Sequence, residues 1–285
     1  MKIFKITLIL LLIAFVAQAQ EEFKLDQEYR MNLSGTIYLD SDDADVTISG
    51  SDRPDVRVRI YRKVETKGFV WGDTDFEVIV EENDGDLKIY EKSSGSHISV
   101  VGYMEEKYTI DIEAPKGVSL TINGDDDDYL ITNINGAIDL DIDDGDAELR
   151  NCGGSYFKFD LDDGDINVDQ ARGKLIARLD DGDIEIENAT FDEVDVRVDD
   201  GDIVIETSFA ANGSYKFRAD DSDIVLNITG GDADIEIDHD DSRLYTSGDF
   251  QTLQDGEDFT RLKLGTGGAA VRIDVDDATV RLTAR

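Results

Sequence analysis

Apolar residues in the middle of this chain alternate with polar ones in period two, and a four-letter word, Asp-Asp-Gly-Asp, interrupts the alternation at regular intervals. The word spans Asp143 to Asp146, Asp162 to Asp165, Asp180 to Asp183 and Asp199 to Asp202, with variants at Asp220-Asp221-Ser222-Asp223 and Asp240-Asp241-Ser242-Arg243. First positions lie 19, 18, 19, 21 and 20 residues apart. The residues five, three and one before the word are Ile138, Leu140 and Ile142 in the first copy, Phe157, Phe159 and Leu161 in the second, and Val194, Val196 and Val198 in the fourth. After it come Ala147 and Leu149, then Ile166 and Val168, Ile184 and Ile186, Ile203 and Ile205, and Ile224 and Leu226. Alternation on both sides predicts two half-buried β-strands joined by a tight corner. A period near twenty predicts stacked units, each burying its apolar face only against its neighbours.

The same cassette is legible at Asp42-Asp43-Ala44-Asp45 before Val46 and Ile48, at Asn83-Asp84-Gly85-Asp86 before Leu87 and Ile89, and at Asp276-Asp277-Ala278-Thr279 between Val275 and Val280. Two segments, Glu65 to Phe76 and Glu91 to Met104, break the spacing and are expected to be irregular loops. No stretch carries a 3.6-residue apolar period, so the fold class is all-β. The expected architecture is a single-stranded β-helix-like solenoid with coils of about 19–20 residues. Parity leaves an antiparallel hairpin array or sandwich open, because a hairpin and a solenoid corner put the same positions on one face.

The first residues, MKIFKITLILLLIAFVAQAQ, combine Lys2 and Lys5 with an apolar run from Ile6 to Val16 and a small-x-small site at Ala17-Gln18-Ala19. This predicts a signal peptide over residues 1–19 of an exported protein, the apolar run being too short to span a bilayer. Residues 20–107 then form an N-terminal β region continuous with the solenoid, and residues 108–285 the repetitive solenoid. The chain's formal charge of −38 becomes −40 without the two leader lysines. Such a charge repels nucleic acid and selects cations or basic surfaces as counter-charges. The one cysteine, Cys152, excludes an internal disulfide, and "RNCGGSY" reads as a loop or core site. Of the two histidines, His239 falls in an otherwise apolar column and reads as a corner filler, and His97 has no identifiable partner.

"YTIDIEAPKGVSLTING" from Tyr108 to Gly124, followed by "LITNINGAIDLDIDDGDAEL" from Leu130 to Leu149, resembles the bacterial putative-adhesin domain family, whose repeats join strands through a (Ser/Asp)-Gly-Asp step. The resemblance is clearest from Tyr108 to Ser247. It implies a right-handed β-solenoid on an exported protein with an adhesive role, and it brings no catalytic residues. The chain departs from the family pattern by placing Asp-Asp where relatives have Ser or Thr, which makes the corner unusually acidic.

Chain turning accounts for the word by itself: glycine supplies positive φ and aspartates bond nearby N–H groups. Stacking adds a second reading, because equivalent residues of adjacent coils lie about 4.8 Å apart. It would set Asp143, Asp144 and Asp146 beside Asp162, Asp163 and Asp165, and continue through Asp180, Asp181, Asp183, Asp199, Asp200, Asp202, Asp220, Asp221 and Asp223. Like charges at that distance repel by about 0.9 kcal/mol even in water, and calcium, which takes six to eight oxygens, is the cofactor such columns would accept. The glycine-rich nonapeptide of calcium-binding β-rolls is absent. Arg178, Arg197 and Arg218 recur two residues before the word and predict either charge pairing between coils or a strip for acidic glycans.

The sequence thus predicts an exported, non-enzymatic, adhesin-like binding or structural module with an envelope, glycan or protein ligand. The alternative, a carbohydrate-active β-helix enzyme on acidic polysaccharide, needs one carboxyl pair unlike its repeats.

Overall fold

The computed structural model describes residues 18–71, 76–92 and 99–285, and the expected leader up to Ala17, as well as His97, lie outside them. Every regular element among the described residues is a β-strand. Strand Ile138–Asp144 pairs in parallel with Phe157–Asp163, matching Ile138 to Phe157, Leu140 to Phe159 and Ile142 to Leu161. After the corner, Ala147–Arg150 pairs in parallel with Ile166–Asp169. Parallel pairing of successive copies excludes the hairpin array and makes each repeat one coil of a β-solenoid. The strands before the corners form one sheet, here the leading sheet, and those after the corners a second, trailing sheet. Their inward side chains meet in a single core.

Within the leading sheet Leu140, Phe159, Ala177, Val196, Phe217 and Ile273 form one buried column. Ala177 stands beside Phe159 in this column, and Phe191 packs edge-on to Phe157 at 6.0 Å. Fully burying such a side chain contributes about 1.5–3 kcal/mol. At the opposite end of each coil, Asn133, Asn151, Gln170 and Asn188 adopt left-handed φ of 53–59°. The next residue then turns inward, as Ile134, Cys152, Ala171 and Ala189. Cys152 is therefore one member of a column of corner fillers.

Coil order departs from chain order at both ends. Strand Ser214–Asp220 pairs with Ala269–Asp276, and Ala233–Asp240 pairs with the other edge of that same strand. The trailing sheet repeats the arrangement, with Thr279–Ala284 between Ile224–Gly230 and Arg243–Ser247. A coil made from residues 269–284 thus sits inside one made from residues 233–247. At the other end, Thr36–Ser41 stacks on Ser119–Asp126 and Asp45–Ser51 on Asp128–Thr132.

Antiparallel strands cap the stack. Gln18–Tyr29, Val56–Trp71 and Ser99–Pro115 extend the trailing sheet, and the hairpin of Val78–Asn83 with Asp86–Glu91 extends the leading sheet. Phe259–Leu264 and Phe250–Asp255 close the far end. Two expectations are corrected here. Asn83 to Asp86 is a hairpin turn and not a coil corner, because its flanking strands pair with each other. The expected loops are strand over residues 65–71 and 99–104, where the paired strands run past the corner as a flange that Gln18–Tyr29 joins as far as Lys67; residues 72–75 and 93–98 lie outside the described residues.

Candidate functional site

The Asp-Asp-Gly-Asp corners form one edge of the solenoid. Gly145, Gly164, Gly182 and Gly201 take φ near 140°, and a Cβ on Gly182 would lie 2.0 Å from the Gly164 carbonyl oxygen. Toward the ends the glycine position is filled by Ala44, Ser222, Ala278 and Ser242, and the preceding aspartates, Asp43, Asp221, Asp277 and Asp241, carry the left-handed φ instead.

The three aspartate columns behave differently. In the last, each carboxylate accepts the N–H of its counterpart in the next coil: Asp128 from Asp146 at 3.1 Å, Asp146 from Asp165 at 2.9 Å, Asp165 from Asp183 at 2.9 Å, Asp183 from Asp202 at 2.8 Å and Asp202 from Asp223 at 3.1 Å. Asp223 closes the ladder on Thr279 and Arg281. These two partners outweigh desolvation and hold its pKa below the usual carboxylate range. The fourth aspartate of the word is thus a backbone cap, with one oxygen already committed.

The second column, Asp144, Asp163, Asp181 and Asp200, is exposed and in direct register. Desolvation and then the neighbouring carboxylates raise the pKa of Asp144 and Asp181. In the first column, Asp143, Asp162, Asp180, Asp199 and Asp220, desolvation followed by Asp180 and Asp143 raises that of Asp162. Asp221 stands at the left-handed position of its corner. The structure therefore brings the predicted carboxylates together by column. Among the described residues no three His, Cys, Asp or Glu side chains converge on a point where a metal ion would be held.

Arg178, Arg197 and Arg218 are in register on the leading face. Each is paired: Arg178 with Asp195 at 3.2 Å, Arg197 with Asp199 at 2.8 Å and Arg218 with Asp274 at 3.8 Å. A shallow cleft of about 140 Å³ lies between Arg197 and Arg218. On the trailing face, Glu148, Asn167, Asp169, Glu185 and Glu187 line a depression of about 230 Å³.

One further corner does not match the Asp-Asp-Gly-Asp word: Asp125 to Asp128, where Asp127 occupies the glycine position. Asp127 is fully buried and accepts hydrogen bonds from the Ala44 N–H at 2.6 Å and from the Ser41 and Tyr129 hydroxyls at 3.0 Å each. Burial raises its pKa against those three bonds. Beside it, Glu91 accepts the Asp42 N–H at 3.1 Å. Desolvation pushes the Glu91 carboxyl up to about 7; the nearby Tyr108 phenol and the Asp42 N–H oppose the rise, and the charges of Asp42 and Asp127 add to it. The Tyr108 hydroxyl is buried without a hydrogen-bond partner, and Phe76 packs edge-on against its ring at 5.2 Å. The spacing of 18 residues between Asp125 and Asp143, with Tyr129 and Ile131 in the inward positions, is the sequence signal that marks this corner.

Neither imidazole nor thiol is set up for catalysis among the described residues. His239 shares a 3.0 Å hydrogen bond with Thr260 of the cap. Cys152 is buried, and desolvation pushes its thiol up, away from the reactive thiolate.

A family profile described as Toastrack DUF4097 matches residues 35–282. Among solved structures, a putative adhesin from Bacteroides fragilis NCTC 9343 is 14% identical over 93% of this chain and 97% of its own, with a TM-score of 0.46. A putative cell adhesion protein from Clostridium sporogenes ATCC 15579 is 13% identical over 94% of this chain and 100% of its own, with a TM-score of 0.24. A putative lipid binding protein from Parabacteroides distasonis ATCC 8503 is 16% identical over 93% of this chain and 96% of its own, with a TM-score of 0.31. No curated protein matches the chain.

Proposed function

Because this chain belongs to the Toastrack DUF4097 family, we propose that it is an exported, non-enzymatic, adhesin-like binding module whose acidic corner edge meets cations or a basic ligand of the bacterial envelope. The observation that carries this reading is the register of the corners: exposed carboxylates repeat from coil to coil as columns rather than as one isolated pair. A column favours a long, multivalent contact with summed weak charges over a single reacting centre. The carboxyls of Glu91 and Asp127, which lie outside the repeated word, do not suit polysaccharide cleavage, because Asp127 has no exposed surface and three hydrogen bonds already occupy it.

Calcium belongs to this reading as the ion that relieves the columns. With the fourth-position aspartates committed to backbone N–H groups, the ladder falls to Asp143, Asp162, Asp180 and Asp199 and to Asp144, Asp163, Asp181 and Asp200. The deciding measurement is thermal melting of the purified protein in millimolar calcium and then in chelator, alongside binding to immobilised envelope glycans and basic peptides. A calcium-dependent rise of several degrees, diminished stepwise as Asp144, Asp163 and Asp181 are changed to Asn, is the expected result. An unchanged melting temperature in calcium removes the ion and leaves the columns as turn and solubility devices; failure to retain any envelope component removes the binding module.

A further inference from the structure

The buried acid corner near the first coil is used neither by the repeat columns nor by the proposed ligand surface. We propose that Glu91 is a proton-operated latch: protonated, it fastens strand Asp86–Glu91 of the N-terminal cap to the first coil, and ionised, it loosens that strand.

The geometry supplies both halves of a latch. Glu91 is the last residue of a cap strand whose parallel ladder onto the solenoid is made with Thr36–Ser41. Its carboxylate reaches across the corner to the Asp42 N–H, so one hydrogen bond ties the end of the cap to the first turn. Among the described residues, the titratable groups acting on Glu91 are Asp42 from the first corner, Asp127 from the next, and Tyr108 from strand Ser99–Pro115. Arg62, on strand Val56–Trp71, lies near Tyr108 and is held by Glu106. Lys92, adjacent in sequence, pairs with Glu77 at 2.7 Å. Among the described residues no Lys or Arg forms an ion pair with Glu91. Its negative charge would therefore sit beside the carboxylates of Asp127 and Asp42, with no ion pair to a described Lys or Arg to offset it.

Proton binding removes that repulsion. Either form of Glu91 can bond the unpartnered Tyr108 oxygen, but only the neutral form does so without adding charge beside Asp127. A carboxyl that ionises later when docked than when free favours the docked state at low pH. The contribution is complete below the free value of 4.5, is lost as the pH rises toward the docked value of about 7, and is constant above it. Each unit of that gap is a factor of ten. Screening at a partly exposed carboxyl trims the full gap to roughly tenfold to a hundredfold in the opening equilibrium.

Hydrogen exchange on the purified protein at pH 5 and pH 8, corrected for intrinsic rates, tests the latch. The expected result is that protection over Asp86–Glu91 falls by roughly tenfold to a hundredfold in the wild type while Phe157–Asp163 is unchanged, and that Glu91→Gln keeps its protection at both pH values. Equal loss in the wild type and E91Q, or no loss in the wild type, overturns the proposal. Should E91Q fail to fold, carboxyl carbon shifts of Glu91 in the wild-type protein give the answer directly: a midpoint above pH 6 supports the latch, and one near the ordinary glutamate value ends it.

Discussion

Replacing Gly182 by alanine is the sharpest test of how closely the coils approach at their corners. Gly182 has φ of +139°, and a Cβ there would fall 2.0 Å from the oxygen and 2.8 Å from the carbon of the Gly164 carbonyl. Both contacts are backbone, so no side chain can swing aside. Holding an L-residue in a region that only glycine visits costs about 1–3 kcal/mol. Forcing the stacked backbones apart costs about 1–3 kcal/mol more. The reduced entropy of the unfolded chain returns about 0.4–1 kcal/mol. The net expectation is a loss of about 1–5.6 kcal/mol, read as a fall in the urea midpoint at constant slope. Gly201 lies on the other side of Gly182 with the same contact at 2.2 Å, so the disturbance spreads to both neighbours, and hydrogen exchange over residues 157–206 should rise with it. Gly153→Ala is the matched control: its Cβ would meet nothing nearer than 3.5 Å and its φ is not left-handed, which predicts a change within about 0.5 kcal/mol. If G182A unfolds at the same urea concentration as G153A, the corner packing described here is wrong.

Changing Asp165 separates the capping role from the charge. Asp165→Ala strands the Asp183 N–H and should cost about 1 kcal/mol, whereas Asp165→Asn keeps an acceptor, lowers the column's repulsion and should equal or exceed the wild type in a urea titration at low salt. Tyr215→Phe should cost about 1–3 kcal/mol in the same assay. The Tyr215 hydroxyl donates to the Phe191 carbonyl at 2.6 Å and accepts the Ala210 N–H at 2.7 Å in a buried site.

Strand, corner and inward face were legible in the sequence wherever period two met a glycine, because both signals are local. The columns through Leu140 and Ala147 and the glycine corners follow from parity and turn chemistry, whereas Cys152, read only as a loop or core site, owes its place as a corner filler to the left-handed Asn151 before it. Asp127 escaped the same reading because an unbroken acidic run signals solvent, and only the neighbouring coil supplies the Ser41 and Ala44 partners that, with Tyr129 of its own coil, make burial tolerable. The hairpin at Asn83 to Asp86 has the letters of a corner, and the difference lies in which strands pair across it, a long-range fact. The flange was missed for a related reason: its strands find their partners in one another, so the regular coil spacing that marks the solenoid gives no sign of them.

The coil built from residues 269–284 lies between those built from residues 214–230 and 233–247. An ordinary solenoid can assemble in the order in which its chain is delivered, each coil settling on the one before. Here residues 233–247 have no coil to rest on until a segment more than twenty residues further along has threaded into place. Assembly at this end is therefore a closing step rather than a growing one, slowed by the loop it must first form. The leading-sheet edge that a further repeat would extend is already taken, because Phe259–Leu264 pairs antiparallel with Ala233–Asp240. Lengthening or shortening of the array by whole repeats is then confined to its uniform middle, between the corners at Asp143 and Asp199, where every coil presents the next with the same surface.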